Sequence, residues 1–340
     1  MTDVLRVIDF GRVTPLRSQT LWHAVAYGVS AGAPPALSFA RPSDPYVCVG
    51  YHRGLDEVDE QYCRAEGLPV YRRMVGGGPV YLDVGQLFFQ ICLPARAVPA
   101  SRLDALRTLL APAVTAFRAA GVAAWLDDDT EICAGDRKIC GHGAGQIGDA
   151  VVVCGNLIER FDHERATRVL ALADQAQRAE TLRLMRRYVA ATPVDTAAFR
   201  AAMTSAYAGA LGLAAAAGEL TATELDRLAE LDGRFTSREW LAGPAMAGRA
   251  QARRARQVKV RSGVWTFAAE SGDARVVASV VRGTVNRAHL TAPGLNDSTE
   301  AAQRALAGVP LASVPDVLAR FGGPGRQLAA AFAAADGKRI

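Results

Sequence analysis

The chain of 340 residues lacks a long hydrophobic run. Its longest apolar stretches, such as 211–218, are short and rich in alanine, whereas a membrane-spanning helix needs about 20 consecutive apolar residues. A basic segment followed by an apolar one is also missing after Met1, so the sequence indicates no secretory signal. We therefore expect a cytoplasmic protein that has no membrane among its partners.

Paired metal ligands and a strong charge of one sign are missing as well. None of the six cysteines belongs to a Cys-x-x-Cys pair, and the five histidines form no His-Glu-x-x-His motif. Neither structural zinc nor a catalytic metal held by protein side chains alone is expected. The formal charge of +5, from 39 Lys and Arg against 34 Asp and Glu, is too small to indicate a nucleic-acid-binding protein.

The composition and the order of predicted elements indicate a globular α+β protein. Half of the residues are hydrophobic and 21% are charged, as in packed domains, and the length suits two domains of about 150 residues each. Short strands and helices alternate up to residue 159, and helical segments, including 163–177 and 179–187, follow. After Gly243-Pro244 the pattern returns to strands and then to helices. We predict two domains, 1–245 and 246–340.

Residues 72–83, Arg-Arg-Met-Val-Gly-Gly-Gly-Pro-Val-Tyr-Leu-Asp, are the most informative segment. Three glycines that follow a strand leave the backbone free of Cβ atoms, so that its amides can face an anion. Arg72 and Arg73 supply guanidinium groups that match phosphate oxygens. The segment predicts a site for a triphosphate or for the acyl phosphate made from one. The alternative is a tight turn with both arginines on the surface.

A second informative segment surrounds Lys138. Ala134-Gly135-Asp136 predicts a hairpin turn, which would place Lys138 on the returning strand. An ammonium group fixed on a strand can hold a carboxylate oxygen and an α-phosphate together and neutralise their charge. The alternative is an ordinary surface lysine.

Together, residues 72–83 and 136–141 resemble the lipoate-protein ligase family of the biotin/lipoate ligase superfamily. Members of that family carry RR-x-[ST]-GGG-A-V-[FY]-H-D and, further along, G-x-K-[IV]-[SA]-G. The resemblance extends to Gly50, 155–158 and 239–241, and it covers nearly the whole chain. It implies an α+β fold, with a ligase-like catalytic domain of mixed β-sheets flanked by helices and a small C-terminal α+β accessory domain.

The resemblance also implies a reaction and its site. The enzyme would use ATP and Mg²⁺ to activate lipoate or octanoate as the acyl-AMP, and it would pass the acyl group to a lysine of a lipoyl domain or a glycine-cleavage H protein. Lys138 matches the catalytic lysine, and Glu131 matches a position near the Mg²⁺ that ATP carries. The positions that match nucleotide contacts are Arg73, Gly76, Gly77, Gly78, Pro79, Val80, Tyr81 and Lys138.

The sequence departs from the family pattern close to these positions. Val75 replaces Ser or Thr, Pro79 replaces Ala and removes one backbone donor, and Leu82 replaces His. These departures indicate a divergent member. They also leave open a non-catalytic relative that keeps a lipoyl or nucleotide pocket.

A second alternative is an octanoyltransferase of the same fold, which would use a cysteine thioester instead of ATP. Such an enzyme needs a nucleophilic thiolate near the lysine. Cys140 lies two residues after Lys138, and on a strand this spacing would place both side chains on one face. Cys140 is therefore the candidate thiol of this alternative.

Overall fold

The computed structural model describes residues 4–128, 130–243 and 255–336. Within these ranges no helix has the length and apolar character needed to cross a membrane. The predicted α+β class is confirmed, because helices and several separate sheets share the chain.

The described residues form two compact units that do not follow the order of the chain. The first holds 4–170 and 190–243, and the second holds 171–189 and 255–336. The predicted boundary at 245 lies outside the described residues and stays a prediction. The structure adds that 171–189, from the middle of the sequence, belong with the C-terminal residues.

Strands of the first unit build three sheets. In chain order they are β1 (Val4–Val13), β2 (Ala36–Pro42), β3 (Tyr46–Val49), β4 (Val70–Arg72), β5 (Val80–Leu82), β6 (Gln86–Pro94), β7 (Ala124–Leu126), β8 (Ile132–Ala134), β9 (Arg137–Lys138), β10 (His142–Ile147), β11 (Ala150–Ile158) and β12 (Ala214–Ala217). The largest sheet has the order β10-β11-β6-β2-β1-β12, and the two small sheets have the orders β4-β3-β5 and β7-β8-β9.

Helices up to residue 242 belong to the first unit, apart from the fifth. They are α1 (Arg17–Ser30), α2 (Glu60–Ala65), α3 (Arg102–Ala119), α4 (His163–Arg168), α5 (Gln175–Tyr188, in the second unit), α6 (Thr196–Leu211), α7 (Ala222–Thr236) and α8 (Arg238–Ala242).

The large sheet is buried on both faces, and β6 shows why. Phe89 and Ile91 pack in the same core as Phe117 of α3 and Phe199 of α6, whereas Cys92 packs on the opposite side in the core of α1. Successive side chains of a strand point to opposite faces, so an almost wholly apolar β6 needs a helix layer on each face. The small sheets and their loops, which carry the candidate site, are held by this three-layer frame.

The second unit is an antiparallel sheet of four strands with helices on both faces. Its other elements are β13 (Ala255–Arg261), β14 (Val264–Ser271), β15 (Ala274–Val281), β16 (Thr284–Thr291), α9 (Thr299–Leu306), α10 (Val314–Ala319) and α11 (Gly322–Asp336). Phe267 and Val276 pack with α9, α10 and α11. Thr266, which alternates with Phe267 on β14, hydrogen-bonds Thr181 of α5 at 2.8 Å, so α5 covers the other face.

The helix predicted over 163–177 is shorter than expected. It ends at Arg168, and α5 begins only at Gln175. Between them Leu170 forms a β-bridge with Val58, and the carboxylate of Asp174 accepts the Gln177 amide as the N-cap of the next helix. The N-cap at Asp174 and the β-bridge at Leu170 therefore divide into two helices the segment that the apolar spacing predicted as one.

Replacing Phe117 by alanine should lower the free energy of unfolding of the first unit by about 3–5 kcal/mol, because it removes a fully buried ring and leaves a cavity. Chemical denaturation followed by circular dichroism measures the change. Leu103→Ala is the control on the same helix, since Leu103 is 43% exposed and should change stability by only about 0.5 kcal/mol. Equal losses in the two variants would contradict the assigned core.

Candidate active site

The three glycines 76–78, here called the glycine bend, connect β4 to β5. These strands lie on either side of β3, so the bend passes over the end of β3 near Gly50. Gly77 has a φ of +106°, a conformation that costs side-chain-bearing residues conformational energy but that glycine adopts readily. The predicted bend is therefore built from the residue type that its backbone requires.

Glycines from two other segments let the bend approach closely. A Cβ on Gly50 would lie 2.0 Å from the Gly77 carbonyl oxygen, and a Cβ on Gly143 would lie 2.9 Å from the Gly76 carbonyl oxygen. The Gly76 amide also donates to the Ala144 carbonyl at 3.2 Å. The bend is thus packed between the end of β3 and the strand β10.

Val75, which replaces the Ser or Thr of the family pattern, is fully buried beside the bend. A Cβ on Gly145 would lie 3.1 Å from one of its methyl groups, so the small residues of β10 make room for the larger apolar side chain. The departure at Val75 and the small residues of β10 are therefore parts of one packing arrangement.

Both arginines that precede the bend point into the protein. Arg73 donates to Gly76 O at 3.1 and 2.9 Å, to Gly78 O at 3.0 Å and to Cys48 O at 3.0 Å. The alternative of two surface arginines is wrong, because Arg72 is fully buried and Arg73 is 7% exposed. A guanidinium group has five N–H donors, so Arg73 keeps at most one for a ligand, and its nucleotide contact stays a prediction.

Arg72 joins two segments of the first unit through backbone carbonyls. It donates to Gly50, Tyr51 and Arg53 after β3, and its other nitrogens donate to Leu241 and Ala242 at the end of α8. The Trp240 indole donates to the Arg72 carbonyl at 2.9 Å in return. Arg72 therefore fixes the loop on which the bend rests and has no donor set directed at a phosphate.

The side chains that follow the bend alternate between exposed and buried positions along β5. Val80 is 38% exposed, whereas Tyr81 is 5% exposed, and burial raises the pKa of Tyr81 although the nearby Arg165 acts in the opposite direction. Pro79 is half-buried. Within the described residues the amides of Gly77 and Gly78 make no backbone hydrogen bond, so they are the donors that this segment can offer to an anion.

Lys138 lies on the returning strand of the predicted hairpin, which turns at Gly135. Its Nζ lies 3.1 Å from Oε1 of Glu131, and the two side chains are 20% and 5% exposed. The Lys138 carbonyl accepts the Ala190 amide at 2.9 Å. The ammonium group is therefore held by a nearly buried carboxylate rather than extended into water.

Glu131 forms an ion pair with Lys138, which bears on whether its carboxylate can also bind a metal ion. Its amide donates to the Asp127 carboxylate at 2.6 Å, and the described residues contain no group of three or more His, Cys, Asp or Glu that could hold a metal ion. Mg²⁺ is commonly bound through one or two carboxylates together with substrate phosphates. Glu131 thus fits a magnesium ion that arrives with a nucleotide but not a metal site made by the protein alone.

The chain between Lys138 and β10 is fixed by buried polar groups. The Gly141 amide donates to Oδ1 of Asn156 at 2.7 Å, and Nδ2 of Asn156 donates to Oε1 of Gln86 at 2.7 Å. This network anchors the segment between β9 and β10 to the strands β11 and β6. Gln86 was missed by sequence reasoning, although a glutamine at the start of a strand as apolar as β6 is the signal that could have found it.

Cys140 does not share a strand face with Lys138. The strand β9 ends at Lys138, and Cys140 is buried in the main core, where its thiol donates to the Gly141 carbonyl at 3.3 Å. Burial raises the pKa of Cys140 to about 12, although the nearby Lys138 charge acts in the opposite direction. Cys140 is therefore a protonated core thiol near neutral pH.

The other five thiols, all within the described residues, are not exposed either. Cys154 is half-buried and donates to the Gly143 carbonyl at 3.4 Å, and burial raises its pKa to about 11. A reactive cysteine needs an accessible, electropositive environment that lowers the pKa. The remaining four are buried and free of disulfides: Cys48, Cys63, Cys92 and Cys133.

Gly50→Ala should distort the bend, because the added methyl group would lie 2.0 Å from the Gly77 carbonyl oxygen. We expect a loss of about 1–3 kcal/mol in the free energy of unfolding, as for other overpacked sites, and faster hydrogen exchange of residues 76–78. Gly209→Ala is the control, since nothing lies within 4 Å of its Cβ position. A Gly50→Ala protein as stable and as protected as wild type would contradict the packing described.

Residues 16–206 match the family described as lipoyl protein ligase A/B catalytic domain. The chain is similar to lipoate-protein ligase A subunit 1 of Thermoplasma acidophilum, with 28% identity in an alignment 170 residues long that covers 47% of this chain and 64% of that protein. It is also similar to octanoyltransferase LipM of Moorella thermoacetica, with 25% identity in an alignment 274 residues long that covers 70% of this chain and 98% of that protein. Relatives of both reaction types therefore match.

The fold is similar to a crystal structure of lipoate-protein ligase A bound with ATP. The TM-score is 0.61 at 23% identity, over 72% of this chain and 99% of that one. The resemblance drawn from residues 72–83 and 136–141 is confirmed, since the family match spans more than half of the chain and includes both segments. Two of its relatives are named as a lipoate-protein ligase and an octanoyltransferase, and the chain itself belongs to the lipoyl protein ligase A/B catalytic domain family.

Proposed function

We propose that the protein is an ATP-dependent lipoate-protein ligase, which activates lipoate or octanoate as the acyl-AMP and passes the acyl group to a lysine of a lipoyl domain or a glycine-cleavage H protein. One observation carries the proposal. Gly77 has the positive φ of the glycine bend and Lys138 is paired with Glu131, whereas none of the six cysteines is exposed and burial raises the pKa of Cys140 and Cys154, unlike the accessible thiol of lowered pKa that a thioester enzyme needs.

The first step requires an anion site and a cation but no base. A carboxylate oxygen of the acid attacks the α-phosphorus, the bond from that phosphorus to the β-phosphate oxygen breaks, and pyrophosphate leaves with the electron pair. The Gly77 and Gly78 amides and the Lys138 ammonium stabilise the charge that develops on the phosphoryl oxygens. The nucleotide contacts we propose are Arg73, Gly76, Gly77, Gly78, Pro79, Val80, Tyr81 and Lys138.

Arg73 and Glu131 also act in this proposal through their neighbours. Arg73 draws the carbonyls of Gly76 and Gly78 toward itself, which leaves the amide side of the bend for the phosphate. Glu131 orients the Lys138 ammonium from a nearly buried position. When bound with ATP, Mg²⁺ neutralises phosphate charge, and Glu131 is the side chain available to it.

In the second step an uncharged lysine amine of the acceptor attacks the acyl carbonyl carbon. The bond to the phosphate oxygen breaks, AMP leaves, and the amine loses a proton as the amide forms. An acceptor of the lipoyl-domain or H-protein type presents such a lysine. Lipoate as the acid and protein as the acceptor agree with the name of the Thermoplasma relative.

Lys138→Ala should lower the rate of ATP–pyrophosphate exchange in the presence of lipoate or octanoate by about 100-fold or more, as for the removal of one charge-stabilising group. Lys138→Arg keeps the charge but not the compact ammonium, and it should recover only part of the rate. Lys259→Ala, in the second unit, is the matched control and should exchange like wild type. The rate of isotope exchange is measured with each acid for wild type and the three variants.

Cys140→Ala and Cys154→Ala separate this proposal from a thioester mechanism. A ligase should keep its exchange rate in both variants, and mass spectrometry should show acylation of a lipoyl domain that depends on ATP. Acyl transfer from an octanoyl thioester without ATP, lost in one of these variants, would instead establish the octanoyltransferase. A protein that forms no acyl-AMP and transfers no acyl group from either donor would be a non-catalytic relative.

A further inference from the structure

We propose that His23, buried in α1, is a positioning residue for the adenylation step, because its imidazole holds the backbone at the entrance to the glycine bend. The inference rests on the proposed function for its catalytic consequence, but the contact itself is structural. Nε2 of His23 accepts the amide of Met74 at 3.0 Å, and Met74 lies two residues before Gly76.

The Met74 amide is held differently from its neighbours. Backbone groups on either side of it have backbone partners in adjacent loops and strands, whereas the partner of Met74 N is a side chain from a helix. The backbone pairs are Arg73 N with Val49 O, Tyr51 N with Val75 O, and Gly76 N with Ala144 O. His23 therefore supplies the one contact in this series that a single substitution can remove.

Both ring nitrogens of His23 have a defined role. Nδ1 lies 2.7 Å from the Gln19 carbonyl oxygen, which can only accept, so Nδ1 carries the hydrogen and Nε2 keeps the lone pair that Met74 needs. Burial lowers the pKa of His23 to about 3, and the nearby charges of Arg73 and Arg234 act in the same direction. The ring is therefore neutral at physiological pH, in the one tautomer that satisfies both partners.

The ring is also fixed by its packing. His23 is fully buried, its ring stacks on Trp22 with 3.4 Å between centroids, and Phe235 packs edge-on at 4.8 Å. Without the imidazole the Met74 amide, which lies in a partly buried place, would be a donor with no protein acceptor, so the backbone would move to find one. Such a movement would shift the Gly77 and Gly78 amides, which the proposed reaction needs in register with the α-phosphate.

Three variants test the role of His23. His23→Leu keeps apolar bulk but removes the acceptor, and we expect kcat for ATP–pyrophosphate exchange to fall about tenfold or more, the loss that one orphaned buried donor produces, while the KM for lipoate changes little. His23→Gln places an amide oxygen near the position of Nε2 and should restore most of kcat. Val29→Ala, a buried change at the end of the same helix, controls for lost packing and should leave kcat unchanged.

Hydrogen exchange of the Met74 amide gives a second measurement that does not need catalysis. It should be about tenfold faster in His23→Leu than in wild type, and close to wild type in His23→Gln and Val29→Ala. Where His23→Leu does not fold, His23→Asn, whose side chain is too short to reach Met74, takes its place.

The outcomes separate this inference from the proposed function. Unchanged Met74 exchange and unchanged kcat in the variants without the acceptor would overturn the positioning role, and so would an equal loss of kcat in Val29→Ala. If wild type shows no ATP–pyrophosphate exchange with any acid, the proposed function fails, while faster Met74 exchange in His23→Leu alone still supports the structural hold of His23 on the bend.

Discussion

The guanidinium of Arg73 donates to the carbonyls of Gly76, Gly78 and Cys48 from a position that water barely reaches. A buried charge is tolerated only when its donors are paired. The carbonyls of the bend supply hydrogen-bond acceptors to Arg73, and the same hydrogen bonds fix the backbone of the bend. The position of the Arg73 side chain also explains why residue 77 is a glycine, because a Cβ there would lie 2.5 Å from Nη2 of Arg73. The positive charge behind the bend favours an anion in front of it.

The remaining parts of the site support Arg73 and the glycine bend. Gly50 and Gly143 allow the bend to come close to two neighbouring segments, and Arg72 secures the first of them by binding its carbonyls. The Asn156 and Gln86 amides secure the segment between Lys138 and β10. The supports from Arg72, Asn156 and Gln86 are polar and buried, so they are specific in geometry and sensitive to the loss of either partner.

The sequence predicts the local features of this arrangement well and the distant ones poorly. The glycine bend and the hairpin before Lys138 depend on neighbouring residues, so their residue types are enough to place them. The inward direction of Arg73 depends in part on the Cys48 carbonyl of another strand, which the sequence does not bring next to it, and the charge of Arg73 alone pointed toward a ligand. The strand face predicted to be shared by Lys138 and Cys140 is wrong because the strand ends at Lys138, whereas the octanoyltransferase alternative itself stays open. His23 gave no signal because its partner is distant in sequence.

The chain passes between the two units three times, because α5 lies within the sequence of the first unit and packs with the sheet of the second. A gene cut after α8 would therefore yield a protein that retains one helix of the missing part, with its buried face exposed. The two units therefore cannot be separated by dividing the sequence at a single point.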